Sequence, residues 1–436
     1  MNVGIIGGGM AGLAAAHDLV KRGHKAAVFE RAPFLGGQAS TFTIGGGQLE
    51  RAYHHLFRSD VDMVHLIEEL GLGPKLNWIE SKVGFFYGGK IHRFTTPMDL
   101  LRFKPLSFPN RVRLGLVSLR LQRHKEWKSL EGITAEEWIK KNAGKQAYDV
   151  VWGPLLRGKF GESAPEVGMV WFWGKIYLRF ASRGKGMAKE LLGYPMGSFG
   201  EVIDKLNERI KANGGETHIN TPVTRVVIEE GKAVGLELQR PESPKEIRRF
   251  DAIISTTPSF VFPKLVPELP ADYCELLGKV KYQAAILEVL ALKRPLSHIY
   301  WMNIADRSIP FVAAIEHTNF IEKGLYGGKH IVYLSNYLGK SNPLYKATPD
   351  ELFQAYLPHL KKINPEFDES WVDERYYHRE EAAQPVIGVN YSKQIPPLET
   401  PIKNLYLANT TQIYPEDRGT NYSVRLGYKV ARLAAP

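Results

Sequence analysis

Apolar positions in this chain fall into two periods. At the start, Val3-Gly4-Ile5-Ile6 is an unbroken apolar run of strand length, and from Gly12 the positions Ala16, Leu19 and Val20 recur at helical spacing until Gly23, which is placed to end the helix. A second run, Ala26-Ala27-Val28-Phe29, closes on Glu30. Strand, helix and strand are therefore expected in quick succession. Mid-chain, the segment from Tyr194 to Phe199 leads into a helix with Val202, Leu206 and Ile210 on one face, stopped by Gly214-Gly215. Two β-branched runs follow, Thr221 to Ile228 and Ala233 to Leu238, joined by a turn around Gly231; Asp251 to Pro258 then reads as a buried strand ending in a loop. An apolar strand begins near Pro310 and ends at Glu316. The last signals are a strand from Lys403 to Thr411, a polar loop, and a helix from about Val424 to Leu433.

Composition narrows the class. A chain of 436 residues with 44% apolar and 11% aromatic residues can bury a sizeable core and is long enough for two domains. Cys274 is the only cysteine, so an intrachain disulfide, dithiol chemistry and a thiolate metal cluster are excluded, and any redox chemistry has to come from a cofactor. The scattered histidines show no ligand spacing and call for no metal. No apolar run is long enough for a membrane span and no leader pattern is evident, so a cytoplasmic protein is expected, or one resting on a membrane face. The net charge of +11 favours anionic partners, but no nucleic-acid-binding motif accompanies it.

The opening elements carry a specific chemistry. Gly7 permits a tight turn out of the strand, Gly9 lets backbone approach a pyrophosphate, and Gly12 allows the helix to pack closely on the sheet, with the N–H groups around Met10 and Ala11 facing the phosphates. Glu30 closes the second strand, where a carboxylate accepts hydrogen bonds from both ribose hydroxyls and repels a 2′-phosphate. Together these predict a dinucleotide site that does not favour NADP.

Beyond Glu30 the chain continues Arg31-Ala32-Pro33-Phe34-Leu35-Gly36-Gly37-Gln38. The added Gly-Gly resembles the FAD superfamily that contains flavin amine oxidases, protoporphyrinogen oxidases and phytoene desaturases; Gln38 stands where the amine oxidases usually carry arginine. The resemblance implies an α/β fold: a Rossmann-like, discontinuous FAD-binding domain from residues 1–80, 195–260 and 395–436, and an α+β substrate-binding domain from 81–194 and 261–394, its mixed sheet over the flavin. It further implies that Val223 meets the adenine and that Asn409 and Thr410 stand at the usual Gly-Asp. The segment Arg418-Gly419-Thr420-Asn421-Tyr422-Ser423, at the entry to the last helix, then faces the flavin. Glu416 or Asp417 is a candidate for the missing acid.

Several residues are candidates for chemistry and substrate. His54 and His55 lie where the superfamily runs a loop under the flavin, with His55 expected to face it and His54 open to a structural role satisfied by backbone, and His55-Leu56-Phe57 is similar to a segment of UDP-galactopyranose mutases. Glu316 and His317 end a strand of the expected ceiling, with Tyr300 just upstream. Arg157, Lys159, Arg179 and Arg183, interleaved with aromatics, suit a phosphate attached to an apolar or planar body. Between Arg102 and Lys125 seven basic residues and no acid are mixed with leucines, a composition able to rest on an anionic bilayer or to pack on its own domain. The function expected is an FAD-dependent oxidoreductase (oxidase, desaturase or saturase) moving hydride between substrate carbon and flavin, on an isoprenoid or other hydrophobic substrate that can carry phosphate. A flavin-dependent nucleotide-sugar mutase, an amine oxidase and a non-catalytic FAD-binding partner remain as alternatives.

Overall fold

The computed structural model describes residues 1–181 and 190–436, with the backbone alone for 178–181. The expected opening is present as the strand Asn2–Ile6, the helix Met10–Lys21 and the strand Lys25–Phe29. Gly23 takes φ +83 just beyond that helix, a conformation glycine adopts without Cβ strain. These strands belong to a five-stranded parallel sheet whose other members are Glu216–His218, Ala252–Ser255 and Leu405–Leu407, so stretches far apart in sequence share one layer. The helix Thr420–Ala434 lies on the same side as Met10–Lys21, and the two approach closely because a Cβ on Gly427 would stand 2.3 Å from the Ala11 carbonyl oxygen. The expected hairpin is there as Val223–Glu229 and Lys232–Leu238. Glu230 and Gly231 both take positive φ at its tip, the pairing a two-residue hairpin turn requires.

A seven-stranded mixed sheet forms the second layer, in the order Val372–Pro385, Tyr282–Leu292, His330–Leu338, Ala313–Glu316, Trp301–Ile304, Val83–Tyr87, Lys90–Arg93. Strand alternation divides its two faces. Ala285, Leu287, Val289, Ala313, Ile315 and Tyr333 join the same core as the dinucleotide fold. Ile286, Met302, Ala314, Val332 and Leu334 face away, against Leu352, Tyr356 and Leu360 of the helix Pro349–Ile363. One face of this sheet is therefore the roof of the cleft above the parallel layer. A helical subdomain, from Pro97–Arg102 through Met169–Ala181, closes one end around its own core.

Two elements depart from the sequence reading. The basic stretch near 100–125 is two helices, Pro97–Arg102 and Phe108–Arg123, because Pro105 and Pro109 interrupt one helix and open the next. The last helix begins at Thr420, four residues before the expected start, so Asn421, Tyr422 and Ser423 are its first turn and not a loop.

Candidate functional site

The glycine-rich turn is a cradle that side chains would fill. Gly7 has φ +104, and a Cβ on Gly12 would lie 2.0 Å from the Gly7 carbonyl oxygen. Gly36 has φ +100, donates its N–H to the Gly8 carbonyl at 2.8 Å, and sits in a bridge with Gly9. Gly37, also at positive φ, brings its backbone so close that a Cβ there would meet Gly9 Cα at 3.1 Å. The Gly-Gly pair thus forms the second wall of the phosphate turn. The helix Met10–Lys21 starts with no side-chain cap, leaving the N–H groups of its first turn to a ligand anion. Glu30 accepts from the N–H groups of Gly8 and Ala32, both at 2.8 Å, which fixes the carboxylate at the strand's end. Uncapped helix, bare backbone and oriented acid form a donor set that fits the ADP half of FAD. Arg31 is exposed beside it, and Val223 is half-buried at the start of its strand, paired with Leu238.

At the other end of the cleft, Tyr53, His54 and Lys159 keep accessible surface although they lie deep among protein atoms, so that surface faces an internal cleft and not bulk solvent. Aromatic side chains line this region. Tyr53 meets Trp301 and Tyr333 edge to face and shares a hydrogen bond with Ser335 at 3.2 Å. His55 packs edge-on against Phe57 and Trp301, its Nδ1 3.0 Å from the Tyr300 hydroxyl. His54 Nδ1 is 2.5 Å from the Ala52 carbonyl oxygen, which requires the hydrogen on Nδ1 and makes Nε2 the acceptor. Burial, reinforced by the charge of Arg418, lowers the His54 pKa to about 4, so it is neutral at pH 7.

Asp417 holds together a buried charge group. Its carboxylate takes Lys159 at 2.6 Å and Lys175 at 2.7 Å, and accepts from Trp171 Nε1 at 2.8 Å and Gln384 Nε2 at 3.3 Å. Next to it, Arg418 donates to Gln384 Oε1 and to the Tyr337 hydroxyl, at 3.0 and 3.1 Å. Burial alone would raise Asp417, but Lys159, Lys175 and Arg418 overcome it and hold the carboxyl well below the usual range. Lys159 is lowered, first by burial and then by its neighbouring cations, against the pull of Asp417. Three cations face one carboxylate here, beside the uncapped start of the Thr420–Ala434 helix, so any group that carries negative charge nearby is stabilised.

The remaining expectations divide by placement. Tyr300 is 1% exposed and stacked on Phe320, so it holds His55 and offers substrate no surface; Trp301, the next residue, is on the open side. Glu316 is buried and accepts from the N–H groups of Leu296 and Ser297, tying that turn to the sheet, and burial raises it to about 7. His317 is buried against Tyr194, Tyr326 and Tyr333, 2.8 Å from the Tyr326 hydroxyl, and lowered to about 3. These two belong to a closed packing group and not to the cleft. The Asn409 side chain is taken up by Thr257, Thr411 and Ser259, with Thr410 opening the short turn it caps, and Gln38 donates to the Ala382 carbonyl. Asn421 is buried, accepting from Met63, while Tyr422 lies under Arg425 and Ser423 bonds back to Gly419. Arg157 and Lys159 diverge on their helix, the former beside Tyr148, Glu136 and Asp149. The side chain of Arg179 and all of Arg183 lie outside the described residues. Sequence reasoning missed Tyr337, Lys175 and Gln384, which only the folded sheet and the helical subdomain bring to the Asp417–Arg418 group, and Tyr53 and Trp301, which meet edge to face beside His55.

Residues 10–431 match the family of flavin-containing amine oxidoreductases. The chain belongs to that family. It is an FAD-dependent oxidoreductase. The chain is 23% identical over 434 residues to a 15-cis-phytoene desaturase of Glycine max, a match spanning 94% of this chain and 75% of that protein; with the Capsicum annuum enzyme the identity is 24% over 62% of this chain and 48% of that one. Among solved structures, a reduced UDP-galactopyranose mutase superposes with a TM-score of 0.78 at 16% identity, covering 100% of this chain and 96% of that one. A putative protoporphyrinogen oxidase from Exiguobacterium sp. 255-15 superposes with a TM-score of 0.76 at 18% identity, covering 99% and 98%. These likenesses establish the fold.

Proposed function

We propose that this enzyme removes hydrogen from an isoprenoid or similarly hydrophobic substrate, one able to carry an anionic group at one end. The observation that carries this reading is the cleft lining: the aromatic side chains of Tyr53, Trp301 and Tyr337, with net positive charge where Lys159, Lys175 and Arg418 outnumber Asp417. An aromatic roof favours an apolar chain through burial and ring contacts. The cation excess repels the protonated form in which alkyl amines arrive at neutral pH, which argues against an amine substrate. The relatives named for desaturating 15-cis-phytoene support the same substrate class.

When bound, FAD supplies two-electron chemistry, accepting a hydride from substrate carbon. The chain's own residues do the rest. The roof presses the substrate toward the parallel layer. Two adjacent C–H bonds break and one C=C bond forms; the second hydrogen leaves as a proton to His54 Nε2, which the Ala52 contact leaves as an acceptor. With its pKa lowered to about 4, His54 relays this proton to water and does not store it. His55, held by Tyr300, shapes the wall beside the roof.

The test is anaerobic mixing of FAD-loaded protein with polyprenyl lipids, alkyl amines or nucleotide sugars, following flavin absorbance. Bleaching by the polyprenyl class alone supports the reading. Bleaching by amines alone, or ring contraction of a nucleotide sugar by the reduced protein, overturns it.

A further inference from the structure

Asp417 and Arg418 are chain neighbours of opposite charge that do not pair with each other. Lys159 and Lys175 take one oxygen of the Asp417 carboxylate, at 2.6 and 2.7 Å, and Trp171 Nε1 donates to the other. Arg418 is held instead by neutral groups: Nε donates to Gln384 Oε1 at 3.0 Å and Nη2 to the Tyr337 hydroxyl at 3.1 Å. Among the described residues no carboxylate lies within ion-pair reach of this guanidinium. Its position is fixed, and its charge is left uncancelled at contact distance.

Gln384 makes this arrangement possible. It is 1% exposed on the roof strand Val372–Pro385, and its Nε2 donates to Asp417 Oδ1 at 3.3 Å and to the Pro385 carbonyl at 3.1 Å. A carboxylate only accepts and a guanidinium only donates, so a group bridging them has to donate on one side and accept on the other. An amide does both and carries no charge. A carboxylate in its place would oppose Asp417 and neutralise Arg418, and a hydrocarbon would release both. Turning the amide over would break all of these bonds, so its neighbours set its orientation.

The field of Arg418 reaches the cleft. Burial lowers His54 and Arg418 adds to that; burial raises the Tyr53 hydroxyl and Arg418 works against it. The glycine cradle takes the ADP half at the opposite end, which sends the flavin ring toward this one. A hydride brings two electrons and one proton, so the ring gains one negative charge. In the proposed reaction the other hydrogen leaves as a proton by way of His54 and does not cancel it. We propose that Gln384 is a positioning residue, whose amide holds Arg418 without neutralising it so that the guanidinium balances the charge the ring gains.

The test uses FAD-loaded protein and no substrate. Sulfite adds to the flavin ring and leaves it negatively charged, so its dissociation constant, read from the loss of absorbance, reports the same stabilisation as the midpoint potential. Arg418→Met is expected to weaken sulfite about a hundredfold and Gln384→Leu about tenfold. The potentials should fall by about 60 and 30 mV, at about 30 mV per decade for a two-electron couple. Gln384→Glu nearly keeps the shape but neutralises Arg418, so it should lose at least as much as Gln384→Leu. A role confined to packing leaves both numbers at the wild-type value in every variant that keeps its FAD content and melting temperature. Tyr337→Phe removes the other neutral contact and should cost about threefold, which with Arg418→Met decides the matter if the Gln384 variants do not fold. Sulfite affinity within about twofold of wild type in Arg418→Met and Tyr337→Phe would overturn the proposal. So would a loss in Arg418→Met with none in folded Gln384 variants, since Arg418 would then be held without Gln384. Neither number depends on the substrate, so failure here leaves the reading of the substrate class standing, and failure of that reading moves neither number.

Discussion

Replacing Asp417 by Asn tests whether the charge group beside Arg418 is held as described. The substitution keeps the shape, removes one of two acceptor oxygens and the charge, and turns an amide NH2 toward an ammonium. Lys159 and Lys175 lose their partner at 2.6 and 2.7 Å. Removing one member of a buried pair costs about 3–5 kcal/mol. Two effects pull toward the low end: the Lys175 side chain is 41% exposed and screened by water, and Lys159 can shed its proton. A loss of about 3 kcal/mol at pH 6 is expected, read by urea unfolding followed through tryptophan fluorescence. The pH dependence supplies a second signature. Lys159 has a folded pKa below its ordinary 10.5, so the folded state binds fewer protons than the unfolded one between those values, and stability rises with pH there. Without Asp417 the folded pKa falls further and that rise begins earlier. The deficit of the variant should therefore shrink from pH 5 to pH 7 and level off above the wild-type folded value of about 7. A deficit below about 1 kcal/mol, or one constant over that range, would refute the assignment of Asp417 as the neutralising centre.

Other changes have equally definite expectations. Gly12→Ala places a Cβ 2.0 Å from a backbone oxygen that cannot move without opening the turn, so FAD affinity of the apoprotein should fall at least about a hundredfold in a fluorescence titration; unchanged affinity would count against the cradle. Glu50 is fully buried, and burial raises its pKa to about 7 despite bonds from Tyr194 and Phe199. Its raised folded value makes the wild type lose stability as pH rises from 4.5 through about 7, and Glu50→Gln should remove up to about 3 kcal/mol of that slope between pH 5 and 8 in parallel denaturation curves. Glu316→Gln should leave the rate of flavin reduction unchanged while lowering the melting temperature, because its carboxyl serves the Leu296 and Ser297 N–H groups and not the cleft; a lost rate with intact stability would restore it to the chemistry.

How much of this was legible beforehand depends on the range of the interaction. Gly7, Gly12, Gly36 and Glu30 act through their own backbone or that of near neighbours, so strand, turn, helix and acid could be read in order. The hairpin at Gly231 and the amphipathic helix after Ser198 follow for the same reason, local period and turn chemistry. The cleft's far end does not behave that way. Lys159 meets Asp417 across 258 residues of chain, and Tyr53 reaches Trp301 only because a sheet with crossed strand order carries it there. Glu316 and His317 stood as candidates because a polar pair at the end of an apolar strand looks the same whether it faces a cleft or a buried turn. Only the register against Val332 and the Ser297 contacts separate the two.

One bound dinucleotide underlies every role assigned to the cleft, and the most direct measurement is a titration of apoprotein with FAD, recording stoichiometry and the shift of the flavin spectrum. One FAD per chain, no comparable uptake of NADP, and a marked weakening in Gly12→Ala are expected. Freshly purified protein that is colourless and takes up no FAD on reconstitution would contradict this.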